Sequence, residues 1–474
     1  MIKRESDPVI PVILILFSIF LLGSLFLFKE RMLFVDPCFV NFTILNTHEF
    51  VITEHRYGAF FTQLFPLIGA ALHLPLQSIL ISYSASFYIL FCGIILLLLF
   101  PLRQRGLAIL MSFYFTLIVS DVYYWPNNEV HQGIAWIFLF FGLMLNNAKS
   151  RNDFWKYAIA LVTVFLGIFS HFIVFLPLVF LWIYFVIDQK EWQLSRKTII
   201  IFSGLLLSLL FIKYQLGKDG WYDGEKLQGI TTINFQSVLQ TFSSGQAKSI
   251  GQLFFTNYWL VILILIVGVI SLIQAKKYVL LIWTLISLTG YFILTCITFP
   301  EAFGRNLRFY MESQWMAFAI IASAPFVFSF LPIIKLKYAA LILTSIFLIR
   351  LGYIAASGSV FHNRYLALEY AVDTIHSSGQ SKVVISSNKL LEDTFLMTWG
   401  LPVESLTLSI LKGYNPPVTI KVIPESEFMM TSQDTFLSCF TKMDIRELNP
   451  HYFNIDTLKP YHHWTDSSIL FDVQ

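Results

Sequence analysis

The chain has 474 residues, of which 56% are hydrophobic, 17% aromatic and only 13% charged, with a mean hydropathy of +0.69. A soluble domain carries about 25% charged residues, so the composition excludes an ordinary soluble fold and points to an all-α polytopic membrane protein. A formal net charge of +3, dispersed along the chain, argues against a nucleic-acid partner.

The first apolar run, "PVILILFSIFLLGSLFLF", follows the basic start "MIKRESDP" and leads into "KERMLF" without a small-x-small cleavage site, so it reads as a retained anchor. About eleven runs reach or approach the roughly 20 residues that cross hydrocarbon. They are 9–28, 77–100, 106–120, 131–147, 157–170, 172–187, 198–216, 258–274, 278–298, 314–334 and 338–354. If they alternate, one side collects Lys3 and Arg4, Arg103 and Arg105, Lys149, Arg151 and Lys156, Lys190, Arg196 and Lys197, Lys276 and Lys277, and Lys335 and Lys337. By the positive-inside rule that side is the cytoplasm, and the N-terminus lies there. The expected location is the cytoplasmic (inner) membrane. Residues 1–356 form the membrane domain, and 357–474 form a small external, periplasmic α/β domain. That tail has a helical stretch, "NRYLALEYAVDTIHSSG", and two strand-like ones, "SKVVISS" and "PVTIKVI".

The first external loop, 29–76, is unusually polar for this chain. Asp36, in "LFVDPCF", lies just beyond the first span, where partial desolvation lifts a carboxyl toward the range of a general base. An Asp before Pro is also an ordinary turn initiator. From Tyr57, the residues Tyr57, Phe60, Phe61, Leu64, Phe65, Ile68 and Leu72 recur at spacings of three and four, an apolar helical stripe. His55, Arg56, Ala59, Thr62 and Gln63 fall opposite it. Such a helix suits the plane of the membrane interface, and a packing helix without chemistry fits the same periodicity.

Other polar residues gather on the same side. Glu129, His131 and Gln132 open the fourth span after "WPNN", where Asn127 or Asn128 can cap the helix and its dipole favours an anion. His171 sits at a corner between two spans, a position that suits a helix-end hydrogen bond as well as chemistry. Arg305 and Arg308, one turn apart and followed by Tyr310 and Glu312, suit a phosphate gripped by guanidinium; headgroup snorkelling is the plainer alternative. Cys38 and Cys439 both face outward on this topology, so a disulfide between them is chemically open, whereas Cys92 and Cys296 read as small buried hydrophobes. There is no phosphate-cradling glycine loop, nucleophile elbow or Cys/His metal spacing.

The layout resembles the GT-C-type membrane glycosyltransferases, which include protein O-mannosyltransferases and aminoarabinose transferases. The resemblance rests on "FVDPCF", the interfacial "EHRYGAFFTQLFPLIGAAL", the acid in "NNEVHQ", the arginine loop "GRNLRFYMES" and the C-terminal external domain. It implies transfer of a sugar from a polyprenyl-phosphate donor to a glycan, lipid or protein acceptor. On this resemblance Asp36 is the candidate base, Glu129 a second acid, and Arg305 and Arg308 bind the lipid phosphate, with membrane lipid as the surrounding partner. Many relatives carry two adjacent acids in the first loop, whereas Pro37 follows Asp36 here, so Glu54 competes for the role of base. The resemblance also leaves room for a divalent metal, Mg or Mn, on the carboxylate. Candidate substrate-binding residues are His55, Arg56, His131, His171, Arg305, Arg308 and Tyr310.

Two other classes compete. A flippase or transporter of lipid-linked saccharide predicts charges in mid-span along a conduit. A polysaccharide polymerase or ligase shares the donor chemistry, and the 217–257 loop with "GKDGWYDGEK" would be its arginine-loop counterpart.

Overall fold

The structure, a computed structural model, describes residues 7–127, 129–146, 153–188, 194–220, 223, 224, 227, 233–299, 308–387, 392–424 and 432–464. Most of these residues are helical. The helices are α1 Val9–Phe26, α2 Phe28–Met32, α3 Val35–Thr47, α4 Phe60–Ala71, α5 Leu76–Leu99, α6 Arg105–Tyr114, α7 Glu129–Leu145, α8 Asp153–Ile168 and α9 Phe175–Ile187. They continue with α10 Arg196–Gly217, α11 Phe235–Thr241, α12 Gly245–Thr256, α13 Trp259–Gln274, α14 Tyr278–Thr298, α15 Arg308–Pro325, α16 Leu336–Ser377, α17 Glu392–Phe395 and α18 Leu401–Leu411.

Among the described residues six helical segments are long and apolar enough to span a bilayer: α1, α5, α10, α14, Arg308–Ile333 and α16. A seventh results if the pair Phe235–Thr256 and Trp259–Gln274, bent by 82°, is one broken span. The outward faces agree with a lipid environment: on α10 alone Ile200, Leu207 and Phe211 are 72%, 68% and 63% exposed. These features are those of a multi-pass membrane protein. The expected count of eleven is not reproduced by length, because the runs at 131–147, 157–170 and 172–187 form shorter apolar helices of 10–17 residues.

The run expected at 106–120 departs most, since its helix stops at Tyr114. Beyond it, Arg350 takes the carbonyls that a longer helix would have used, donating to Thr116 O at 2.9 Å and Val119 O at 2.8 Å. Glu312 Oε2 accepts the amides of Ser120 and Val122 at 2.9 and 2.8 Å. Two buried charges on later helices thus replace the lost turns, which satisfies the backbone groups that burial would otherwise strand. Tyr258 donates to the other Glu312 oxygen at 2.5 Å.

Loops assigned to one side of the topology do meet. Arg105 pairs with Asp7 at 2.7 Å and Lys277 with Asp188 at 2.8 Å, while Gln104 Nε2 donates to Leu145 O at 3.0 Å.

The C-terminal region holds a three-stranded parallel sheet in the order β2-β1-β5, with β1 Lys382–Ser386, β2 Thr419–Ile423 and β5 His462–Trp464. Val383 lies opposite Ile420 on one side and His462 on the other. All five residues of β1 are buried, as expected for a central parallel strand covered on both faces. A separate hairpin pairs β3 Thr435–Leu437 with β4 Lys442–Asp444. Helix α18 is tied to β2 by Ser405 Oγ, which accepts Ile420 N at 2.9 Å. The 42-residue α16 runs unbroken through the expected boundary at 356, so membrane helix and C-terminal region share one rigid element.

Candidate functional site

Residues 28–32 and 35–47 are helical rather than looped. Arg31 on α2 is fully buried, donating to Ser84 Oγ at 2.9 Å and to the Tyr123 carbonyl, with the Tyr123 ring 4.7 Å from its guanidinium. That anchor sets where α3 starts. Asp36 sits in the first turn of α3 with Pro37 behind it, a place where proline costs no hydrogen bond. The Asp-Pro pair opens a helix here and is not a free turn.

The segment before α4 is held on both sides. Glu54 and His55 adopt left-handed φ values of 51° and 55°, a costly pair for residues with side chains. Lys213 Nζ donates to Glu54 O at 2.9 Å, and Gly58 N donates to Phe169 O at 3.1 Å. A Cβ on Gly58 would fall onto Leu166 O and Ser170 Oγ, so only glycine permits this approach to α8. In α4 the polar side faces protein, with Thr62 and Gln63 buried, while Ile68 and Leu72 of the aromatic stripe are 53% and 64% exposed.

These elements enclose a cavity of about 360 Å³, within the roughly 300–1,000 Å³ usual for small-molecule sites. Asp36, Glu54, Arg56, Glu129, His171 and Tyr310 all line it. Six residues singled out in four separate stretches of sequence therefore meet in one chamber. Phe299, Ile173 and Val130 add apolar surface, and Ser313, Gln314 and Asn127 add polar groups. Gln314 is 3% exposed, and among the described residues its Nε2 has no hydrogen-bond partner.

Asp36 accepts a hydrogen bond from Trp125 Nε1 at 2.9 Å. Burial, and after it the nearby charge of Glu129, raise its pKa to about 7 against the opposing Trp125 bond and Arg56 charge. A carboxyl poised there exchanges protons near neutrality. Arg56 lies 3.4 Å from Glu129 and 2.9 Å from Asp223, and Asp223 also meets Lys213 at 3.4 Å. His171 Nδ1 accepts from Ile173 N at 3.1 Å, so its Nε2 carries the proton. Burial, with the Arg56 and Lys213 charges, holds its pKa well below the ordinary imidazole range. His171 is thus a neutral donor, and the chamber combines three carboxylates, one guanidinium and one imidazole.

The remaining candidates lie elsewhere. His55 is exposed and bonds Tyr57 through its own ring. His131, 4% exposed, bonds Tyr114 at 2.8 Å and borders a separate void of about 20 Å³ beside Arg31. Arg308 is engaged by Asp121, with Nε on Oδ2 at 2.9 Å and Nη2 on Oδ1, and by Ser357 Oγ at 2.9 Å. Arg305 and Asn128 lie outside the described residues. Cys38 and Cys439 are both free and buried, so they form no disulfide here. Among the described residues no three His, Cys, Asp or Glu side chains converge as a metal-binding group.

Trp125, Gln314, Trp399 and Phe440 also line the chamber and Lys213 and Asp223 support it, and nothing in the sequence singles them out. Asp223 was visible only as one acid within "GKDGWYDGEK", and no periodicity marks Trp399 or Phe440. Comparison of the chain with protein-family models, with curated proteins and with solved structures finds no match.

Proposed function

We propose that the chain is a polytopic membrane glycosyltransferase of GT-C type. It transfers a sugar from a polyprenyl-phosphate donor to a glycan, lipid or protein acceptor on the outer face of the cytoplasmic membrane. In this reading the shorter apolar helices also cross, giving about eleven passes, and the C-terminal region is external. The observation that carries the reading is the convergence of Asp36, Glu129 and Arg56 in one chamber, with Asp36 poised at a pKa of about 7.

The chemistry follows from those groups. Asp36, or Glu54 in its place, takes the proton of the acceptor hydroxyl as its oxygen attacks the anomeric carbon with inversion. The bond to the phosphate oxygen breaks, and polyprenyl phosphate leaves with the electron pair. Arg56 offsets the charge that develops on the phosphate, and the neutral His171 donates a hydrogen bond. Glu129 keeps Asp36 basic through its charge and holds Arg56 in place.

A polymerase or ligase acting on lipid-linked saccharide has one observation in its favour: Asp223, from the 217–257 loop, is joined to Arg56 of the chamber. For a transporter, the buried charges Glu312 and Arg350 are spent on backbone groups and neither lines the cavity. Proteoliposomes loaded with a polyprenyl-phosphate hexose or pentose distinguish these classes. A transferase releases polyprenyl phosphate when acceptor is supplied. Movement of intact donor across the vesicle wall without release would contradict the reading.

A further inference from the structure

One wall of the chamber comes from the C-terminal region, through Met397, Trp399 and Phe440, and takes no part in the proton transfer. Phe39, on the same face of α3 as Asp36 and one turn later, meets Trp399 edge-on at 6.0 Å and Phe440 edge-on at 5.5 Å. Trp399 and Phe440 stack on each other, with ring centroids 5.0 Å apart and planes 29° from parallel. All three border the cavity. Trp399 is anchored by its neighbour Gly400, whose ideal Cβ would lie 2.8 Å from Val35 Cα, so the platform is registered directly to the start of α3.

Phe440 is 69% exposed, in the turn between β3 and β4. Among the described residues, the other large exposed apolar side chains beyond Ser357 are Val360, Tyr370 and Leu458, and none of them borders the chamber. Phe440 thus keeps most of its surface open while two ring partners hold it at the mouth of a chamber lined by carboxylates.

We propose that the Phe39–Trp399–Phe440 cluster is the acceptor subsite and that it binds a saccharide ring. This deepens the transferase reading and rests on it for the word acceptor. A pyranose or furanose has an apolar C–H face that lies flat on an aromatic platform and a rim of hydroxyls that needs polar partners. The platform supplies the first, while Asp36, Glu129 and Asn127 beside it supply the second. Phe39 follows Asp36 by one helical turn and both border the cavity, so a ring held on this aromatic wall has close at hand the carboxylate that must take its proton. A polyprenyl tail needs apolar surface, and Ile173, Phe299 and Tyr310 supply it elsewhere in the lining of the chamber.

The test is saturation-transfer NMR on the full-length protein in lipid nanodiscs, with methyl glycosides of neutral hexoses, hexosamines and pentoses as probes. The wild type should transfer saturation to ring C–H protons of at least one probe. Phe440→Ala, at a largely exposed position and with its fold checked by thermal unfolding, should bind it about two- to ten-fold more weakly, the range of one aromatic contact. Phe440→Tyr should bind it as the wild type does. Absence of glycoside binding by the wild type, or equal binding by Phe440→Ala, would overturn the subsite. So would Phe440→Ala weakening polyprenyl phosphate binding instead, which would give the platform to the lipid. Release of polyprenyl phosphate by the wild type is measured separately; its absence would strike the transferase reading, whereas glycoside binding reports on the platform alone.

Discussion

Glu404 accepts the backbone N–H of Val35 at 2.6 Å, across 369 positions of sequence. Its other oxygen accepts from Arg364 Nη2 at 2.5 Å, and Arg364 donates to Leu33 O at 2.8 Å and Phe395 O at 2.9 Å. Val35 holds a φ of 26°, an unfavourable value for a β-branched residue, immediately before Asp36. The C-terminal region therefore fixes the strained entry to α3 and, through it, the direction of the Asp36 carboxyl. Glu404 is a positioning residue: it touches the backbone next to Asp36 and does not line the chamber.

Removing that clamp leaves Arg364 charged and buried. Glu404→Ala is expected to cost about 3–5 kcal/mol of stability, the range for breaking one side of a buried ion pair. Glu404→Gln keeps an acceptor for Val35 but not the charge partner of Arg364, so it should cost less stability than Glu404→Ala while lowering turnover, with the pH profile displaced. Thermal unfolding in nanodiscs, together with a pH–rate profile, checks both. An unchanged profile in Glu404→Gln would deny the residue its positioning role.

The pH dependence has a defined sign. If Asp36 is the base, activity should rise as pH passes through about 7, as its proton leaves. Glu129→Gln removes a charge that raises the Asp36 pKa, so the rising limb should move to lower pH. Trp125→Phe removes a hydrogen bond that lowers it, so the limb should move to higher pH. Stability runs the other way. The proton that Asp36 retains in the fold stabilises it fully below the ordinary value of 3.8, and that contribution is lost as pH rises through about 7. Asp36→Asn should therefore unfold at a higher temperature than the wild type at pH 8, with the gap closing at acid pH.

The two arginines make different predictions. Arg308 is tied to Asp121 and Ser357, so Arg308→Ala should lower the unfolding temperature, and adding Asp121→Asn should recover part of the loss. Arg56 faces the chamber, and Arg56→Lys keeps the charge while losing the planar fork. It should raise KM for the polyprenyl-phosphate donor about ten-fold with little loss of fold, as donor titrations and unfolding scans would show.

The face of α4 is also open to measurement. In a background with the four native cysteines replaced, bimane attached at Leu72→Cys should be quenched by brominated lipid, because that side chain points away from the protein. Bimane at His55→Cys should be quenched by aqueous iodide instead. The reverse pattern would take α4 out of the membrane interface.

What the sequence made legible was local. Apolar runs gave the membrane class, because hydropathy over a single helix is a property of adjacent residues. The Tyr57–Leu72 stripe gave α4, and "SKVVISS" and "PVTIKVI" gave β1 and β2. Asp36, Glu54, Arg56, Glu129, His171 and Tyr310 were found because ionisable or polar groups at the edges of greasy segments stand out. The features that escaped depend on distant partners. The shortening of α6 is caused by Arg350 and Glu312, the displacement of Arg308 from the chamber by Asp121, and the helical start at Asp36 by Arg31 and Glu404. The aromatic wall at Trp399 and Phe440 exists only because the C-terminal region folds back onto α3.

The most direct measurement is sugar transfer from a polyprenyl-phosphate donor by wild type and Asp36→Asn, each verified as folded in the same membrane preparation. The wild type should release polyprenyl phosphate and label an acceptor, and Asp36→Asn should do so at least about a hundred-fold more slowly. Equal rates for the two proteins would remove Asp36 from the role of base and pass it to Glu54→Gln for trial. Wild-type membranes that carry the donor across intact, with no sugar transferred, would contradict the central claim.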